Sequence, residues 1–452
     1  MSAIEVFWLS FMDNANPVSQ LDRNIGMELY VTKTPGVGGK IRQLIDDFYV
    51  EEISSGAASK EGPYLIVELT KLDWDMHHVI RDLSRSLGIS QKRFGWAGTK
   101  DKRAITKQKI SIWGISEEEL GNVSLPRVEL RAIRRSNKKV ELGDLLGNSF
   151  RITIRGVDMS PEEAGKRIQS ISDEIAQFGG LPNFFGVQRF GTLRSVTHLV
   201  GDAIMKGDFE GAAMIYMAKP FPSEPEEIRS AREYVWETHD FKGGLRLFPR
   251  HLRYERAMMN HLVPNESDYI GAFQILSPGL KKMFLHAHQS YIFNKILSRR
   301  LKKGLPINIA MDGDIVCFVN KSGFPDISRI QFVNNGNVDG INNLIRRKRA
   351  FVTAPLVGYG SQLAKGEPGE IERSVIDEMG IDLNDFAIPQ MPELASCGIR
   401  REVLLSVQPT HEIDADLNGT KIVLRFSLPK GCYATVVLRE YMKSEYMKTM
   451  LG

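Results

Sequence analysis

The chain has 452 residues, a net charge of +4 at pH 7, and 42% hydrophobic and 25% charged residues, which predicts a soluble globular protein of two or three domains. No run of about 18 apolar residues offers a membrane span, so we exclude a membrane protein. Residues 1–17 have no basic start and contain Glu5 and Asp13, so they do not predict a secretory signal, and we expect a cytoplasmic location.

The first 180 residues have the pattern of short strands with a few helices. Alternating or continuous apolar residues predict strands around 48–50 and at 63–72, 94–97, 107–113 and 150–154. Apolar residues at helical spacing predict helices at 75–87 and 161–178.

The pattern changes after residue 181. Residues 182–191 form an aromatic and glycine-rich turn, and helical patterns dominate from residue 195 to about 300. After a section rich in glycine and proline, residues 421–438 return to the pattern of strands and turns. A helical body between two β-rich portions predicts a domain inserted within a discontinuous one.

Neither the cysteines nor the net charge defines a site by itself. The three cysteines lie far apart and have no paired spacing, so we expect neither a zinc site nor a disulfide framework. Basic residues cluster at 100–109, 131–139, 299–303 and 346–349. One such cluster is more often a solvated face than a binding site, but several on one chain favour a phosphate-rich partner.

The stretch FGWAGTKDKRAIT, residues 94–106, combines the features of an active-site loop. Its apolar start predicts a buried strand, Gly98 breaks that strand, and Asp101 follows at the strand's end. Lys100, Lys102 and Arg103 flank Asp101, and nearby positive charge favours the ionised form of a carboxylate. An ionised aspartate needs no base to act as a nucleophile. Taken alone, however, GTKD is more often a surface turn.

Five separated motifs together resemble the TruD family of pseudouridine synthases, including its archaeal and eukaryotic members, in the order that the family has them. They are GTKDKRAITKQ from Gly98, LGNSFRI from Leu146, PNFFGVQRFG from Pro182, AHQSYIFNKIL from Ala287 and LRFSLPKGCYATVVLRE from Leu424. Five ordered motifs are far more specific than any one of them, so they favour the active-site interpretation of Asp101 over the surface turn.

The resemblance implies isomerisation of uridine to pseudouridine in RNA, with tRNA uridine 13 the usual bacterial target. It implies tRNA as the partner and requires neither a cofactor nor a metal. It also implies an α+β fold. The catalytic domain, residues 1–182 and 403–452, would have a mixed, largely antiparallel sheet, and a mostly helical TruD-type insertion would occupy residues 183–402.

The family's site residues are carried over by their position in these motifs and, for Phe48, in DDFYVEE at residues 46–52. Asp101 matches the catalytic aspartate, Phe48 a phenylalanine of the uridine pocket and Asn148 a substrate-binding asparagine. Arg42 falls where the family has a basic residue, which would pair with Asp101 or with a phosphate. Tyr433 falls where bacterial members carry phenylalanine, so its ring would stack on uracil while a role for its hydroxyl stays open.

These residues also have structural explanations, and the reaction has rival routes. The two aromatic residues are also explained as core residues, the asparagine as a turn residue and the arginine as an exposed cation. The carboxylate could attack the ribose, take a proton from it to form a glycal, or add to carbon 6 of the ring. An RNA-binding factor without turnover and a nucleoside hydrolase or glycosylase remain alternative functions.

Overall fold

The structure is a computed structural model that describes residues 16–54, 61–320, 323–416 and 419–444. Residues 1–15, which carry most of the segment tested for a secretory signal, lie outside these ranges. The described strands are β1 (Lys40–Ile41), β2 (Phe48–Ser54), β3 (Tyr64–Leu72), β4 (Phe94–Trp96), β5 (Ile105–Trp113), β6 (Val128–Ser136), β7 (Leu145–Val157), β8 (Leu181–Pro182), β9 (Ile315–Val319), β10 (Pro325–Phe332), β11 (Ala350–Leu356), β12 (Ile399–Glu402), β13 (Leu404–Leu405), β14 (Thr410–Asp416) and β15 (Gly419–Pro429).

Helices lie before, between and after these strands. The described helices are α1 (Gln20–Asn24), α2 (Met76–Ser86), α3 (Glu117–Gly121), α4 (Pro161–Phe178), α5 (Thr197–Met205), α6 (Phe209–Ala218), α7 (Glu226–Thr238), α8 (Phe241–Leu247), α9 (Arg253–Leu262), α10 (Tyr269–Gln274), α11 (Pro278–Lys302), α12 (Val338–Arg346), α13 (Gly366–Glu378) and α14 (Ala434–Met442). Among the described residues, no helix is both long and apolar enough to cross a membrane.

The chain divides into two compact units. The sheet unit contains Thr34–Gln177 and the described residues from Ser406 onward. The helical unit contains the described residues up to Lys33 and Phe178–Leu405. The domain limits expected from the sequence, at residues 182 and 403, remain predictions.

A mixed sheet forms the sheet unit. Its strands follow the order β14-β15-β7-β2-β5-β3-β6, with β1 added beside β7 and β4 beside β5. Strands β2 and β5 run parallel, whereas every other paired strand of this sheet in the described ranges is antiparallel. The α+β fold with a largely antiparallel sheet is therefore confirmed.

A hydrophobic core anchors the strand that leads to Asp101. Alternate residues of β3 and β5 face helix α2, and Phe94 of β4 packs into the same cluster. The helix begins after Asp75, whose carboxylate accepts hydrogen bonds from two backbone N–H groups of the first turn. Each fully buried large apolar side chain contributes roughly 1.5–3 kcal/mol. The start of the Asp101 loop is therefore fixed by the core.

The helical unit also contains strands that the sequence analysis missed. Strands β9 to β12 form a four-stranded sheet in the order β10-β9-β11-β12. The longest described helix, α11, begins after Ser277, which caps it, and has Pro278 in its first turn. Asn294 of α11 donates hydrogen bonds to the carbonyls of Ile25 and Phe185 and accepts one from the N–H of Phe185. This asparagine therefore holds the aromatic turn of the helical unit in place.

One segment differs from its sequence-based prediction. The sequence predicts strands and turns throughout residues 421–438, but the strand ends at Pro429 and helix α14 begins at Ala434. All residues of α14 are buried, so the segment lacks the polar face by which helical periodicity is recognised. Its run of Thr435, Val436 and Val437 is typical of a strand when read alone.

Candidate active site

Asp101 lies in the loop between β4 and β5 and is presented to solvent. Its side chain is 41% exposed, and one of its oxygens, Oδ1, accepts a hydrogen bond of 2.8 Å from Nη2 of Arg42. A charge-assisted bond of this length orients a carboxylate. The structure therefore brings together two of the residues that the family motifs single out.

Arg42 also contacts the predicted uridine pocket. Its guanidinium carbon lies 4.0 Å from the ring centroid of Phe48, which is close enough for a cation–π interaction. The backbone of Arg42 is left-handed, with a φ of 58°, a conformation that residues other than glycine adopt rarely and at a cost of about 1–3 kcal/mol. Strain of this kind is concentrated at functional sites, and here it lies at the residue that joins Asp101 to Phe48.

Lys71 supports the Asp101 loop from inside the sheet unit and was missed by the sequence analysis. Its residue exposure is 0%, and its Nζ donates a 2.7 Å hydrogen bond to the backbone carbonyl of Asp101. Burial lowers the pKa of Lys71 to about 8, and the negative charge of Asp101 partly offsets this effect. One signal in the sequence could have revealed it, because Lys71 continues the buried alternation of Leu65, Val67 and Leu69 along β3.

The cations flanking Asp101 in the sequence do not all lie beside its carboxylate. The sequence predicts Lys100 to be one of them, but its Nζ instead lies 3.0 Å from Oε2 of Glu52, and both side chains are buried. A buried carboxylate without a cationic partner would be strongly destabilising, which explains why Lys100 pairs with Glu52 and not with Asp101. Arg42, which is distant in sequence, does hold the carboxylate of Asp101.

Aromatic rings continue from Phe48 across the sheet. Phe48 and Phe150 make an edge-on contact with ring centroids 6.4 Å apart, and Phe150 stacks on Phe426 at 5.4 Å. Strand register explains this row, because Phe150 of β7 pairs with Phe426 of β15. Phe48 is itself 2% exposed, so it is a core residue in this structure, and its role in the uridine pocket stays a prediction.

Asn148 lies on β7 between β2, which begins with Phe48, and β15, which leads to Tyr433. It pairs with Glu52 of β2 and with Leu428 of β15. Its side-chain oxygen, Oδ1, is buried and has no hydrogen-bond partner in the part of the chain that the structure describes. A buried acceptor left unpaired costs about 1–3 kcal/mol, so this oxygen is suited to receive a hydrogen bond from a ligand.

Tyr433 is half-buried and immediately precedes helix α14. It follows β15, the strand that pairs with β7 at Asn148. Arg42 therefore contacts both Phe48 and Asp101. Asn148 lies on β7, the strand beside β2, and Tyr433 lies on the loop that follows β15.

The comparisons with known proteins place this chain among the pseudouridine synthases, which are isomerases. The profile of the family described as tRNA pseudouridine synthase D (TruD) matches residues 24–441. The chain therefore belongs to the TruD family of tRNA pseudouridine synthases.

Individual relatives match over nearly the full chain. The probable tRNA pseudouridine synthase D of Methanococcoides burtonii is 55% identical over 436 residues, which cover 96% of this chain and 99% of the relative. That of Archaeoglobus fulgidus is 41% identical over 428 residues, with coverages of 94% and 100%. The crystal structure of the putative tRNA pseudouridine synthase D from Methanosarcina mazei superposes with a TM-score of 0.86 at 52% identity, covering 96% of this chain and 100% of that one.

We expect Lys71→Met to change how the stability of the fold depends on pH. The pKa of Lys71 is lowered to about 8 in the folded state, whereas an unfolded lysine keeps its proton up to its usual pKa of about 10.4. Between these values the unfolded state binds more protons, so the lysine makes the wild-type fold more stable as pH rises, by up to about 1.4 kcal/mol per pH unit. Methionine removes this dependence.

Denaturant unfolding of both proteins at several pH values from 7 to about 10.4 measures the difference. The free energy of unfolding of Lys71→Met minus that of the wild type should fall as pH rises through this window. Lys166→Met, which changes an exposed lysine of α4, is the matched control and should give a constant difference. A constant difference for Lys71→Met as well would contradict the prediction.

Proposed function

We propose that this chain converts uridine to pseudouridine in tRNA, at uridine 13, with Asp101 acting as the nucleophile or the base. The observation that carries the proposal is the exposed carboxylate of Asp101 held by Arg42, which also lies over the ring of Phe48. Family membership supports the reaction class. The cytoplasmic location expected from the sequence remains a prediction.

The reaction exchanges one glycosidic bond for another. The bond between the ribose carbon C1′ and N1 of uracil breaks, a bond between C1′ and C5 forms, C5 loses its proton and N1 gains one. No net oxidation or reduction occurs. The Asp101 carboxylate could attack C1′, take a proton from the ribose, or add to C6 of the ring, and all three routes start from the carboxylate that Arg42 holds.

The other site residues would hold the uracil. We propose that Phe48 and Tyr433 provide rings against the base, because aromatic side chains stack on any base. Asn148 would accept a hydrogen bond from the N3–H of uracil at its unpaired Oδ1. Lys71 would keep the backbone of Asp101 in position without reaching the substrate, since it is fully buried.

We expect Asp101→Asn to abolish pseudouridine formation while tRNA binding persists, because asparagine keeps the shape of the side chain and loses its charge. Mass-spectrometric or chemical detection of pseudouridine in tRNA, beside a filter-binding assay, measures both properties. Asp158→Asn, which changes an exposed aspartate of the sheet unit, is the control and should retain activity. Full activity of Asp101→Asn would refute the proposed role.

The same experiment tests the alternative functions. If the protein is an RNA-binding factor without turnover, even the wild type will bind tRNA and form no pseudouridine. A hydrolase or glycosylase would release free uracil.

We expect the ring of Tyr433 to matter more than its hydroxyl, since the bacterial members that the sequence resembles carry phenylalanine there. Tyr433→Phe should keep kcat/KM close to the wild-type value. Tyr433→Ala should lower it by about 5–150-fold, the equivalent of the 1–3 kcal/mol that stacking on a base is worth. Steady-state kinetics on tRNA measure both variants, and a large loss in Tyr433→Phe would show that the hydroxyl takes part.

A basic turn at residues 346–349 of the helical unit is suited to bind tRNA phosphates. All four of its side chains are exposed, and none forms an ion pair with a carboxylate in the described ranges. Hydrogen bonds from the N–H of Lys348 to the carbonyl of Ile345 and from that of Arg349 to Leu344 end helix α12. Lys348 has a φ of 55°, where glycine is usual at the end of a helix. We propose that this turn contacts the tRNA backbone.

We expect Lys348→Gly to stabilise the fold and to weaken tRNA binding. Glycine removes the strain of the left-handed backbone, worth roughly 1 kcal/mol, and the loss of one cation should reduce the slope of log affinity against log salt by about one. Thermal unfolding and salt-dependent binding measure the two effects. His239→Gly, at another left-handed helix end of the helical unit, is the control for strain, and should stabilise the fold without changing the slope. An unchanged slope in Lys348→Gly would contradict a phosphate contact.

A further inference from the structure

Among the large hydrophobic residues of the described ranges, Leu142 is the most exposed. Its exposure is 85%, compared with 55% for the next, Leu44. A single exposed leucine is normal on a protein surface and by itself indicates nothing. What distinguishes Leu142 is the way its backbone is held.

A tight turn presents Leu142. The N–H of Asp144 donates to the carbonyl of Glu141 at 3.1 Å, and Oδ2 of Asp144 accepts a 2.8 Å hydrogen bond from the N–H of Glu141. Gly143 follows Leu142 with a φ of 93°, which a turn of this kind requires and which glycine adopts without strain. Leu142 therefore occupies a defined position at the tip of the turn.

Two further hydrogen bonds tie this turn to the segments that carry site residues. The N–H of Gly143 donates to the carbonyl of Ala97 at 2.8 Å, four residues before Asp101. The carbonyl of Gly143 accepts a 3.1 Å hydrogen bond from Nζ of Lys430, three residues before Tyr433. The turn is thus joined to the Asp101 loop on one side and to the Tyr433 loop on the other.

The proposed reaction creates a need for such a residue. A uridine in folded RNA is stacked between its neighbours, and it must leave the stack before a carboxylate can reach its ribose and ring. Proteins that unstack bases frequently insert an apolar side chain at the vacated step. A leucine serves this purpose only when its backbone is fixed, because a mobile side chain would yield to the stack.

We propose that Leu142 is a wedge that enters the base stack of the tRNA and stabilises the extruded uridine. This inference rests on the proposed function, since it assigns a substrate contact for the same reaction. The residue acts by occupying the space that the uridine leaves, and it takes no part in bond making.

The first test compares two substrates. One is the folded tRNA, and the other is the same tRNA with abasic sites on both sides of the target uridine, which remove the stacking neighbours. Leu142→Ala should lower kcat/KM on the folded tRNA by on the order of tenfold more than on the abasic tRNA. Leu142→Met, which keeps most of the apolar volume, should restore most of the loss. Leu247→Ala, a change of an exposed leucine in the helical unit, is the control and should affect neither substrate.

The second test does not depend on turnover. A fluorescent adenine analogue placed beside the target uridine becomes brighter when its neighbour leaves the stack. The Asp101→Asn protein at saturating concentration should raise this emission. The double variant Asp101→Asn, Leu142→Ala should raise it less.

The outcomes separate the two proposals. Equal losses on both substrates, or an unchanged fluorescence rise in the Leu142→Ala protein, would overturn the wedge. If the wild type forms no pseudouridine in either tRNA, the proposed function itself fails.

Discussion

The candidate site depends on the ion pair between Arg42 and Asp101. Neither residue belongs to a helix or strand, so each needs support from elsewhere. Arg42 extends from the end of β1 in a left-handed conformation, and Asp101 is held through its backbone carbonyl by the buried Lys71. The pair fixes an exposed carboxylate at the end of an aromatic row, and a fixed position of this kind is what the proposed reaction would use.

Some buried polar groups in and near the candidate site have a partner within the protein, and others have none in the part of the chain that the structure describes. The buried Lys100 and Glu52 neutralise each other, as buried charges must. In contrast, the buried oxygen of Asn148 has no partner among the described residues. The buried side-chain oxygen of Gln108 on β5 of the same sheet likewise has no partner among the described residues, so an open acceptor needs a reason of its own at each position.

The sequence predicted much of this structure, for reasons that differ between elements. The strands at β3 and β5 and the helix at α4 follow clear apolar periodicity, so their limits were close to the observed ones. Helix α14 was missed because it is buried on all sides, and Lys71 because a single lysine in a strand usually faces solvent. The pairing of Arg42 with Asp101 could not be read from spacing, since 59 positions separate them and only the folded sheet brings them together.

The parallel pairing of β2 with β5 has a consequence for how the protein is made. The strand that begins with Phe48 and the strand that follows Asp101 can pair only after the intervening β3, α2 and β4 have been synthesised. Strand β15 and Tyr433 come from the far end of the chain, beyond the whole helical unit. Contacts of such long sequence separation form slowly. A ribosome-bound chain therefore lacks Tyr433, a residue of the proposed uridine pocket, until the whole helical unit has been synthesised.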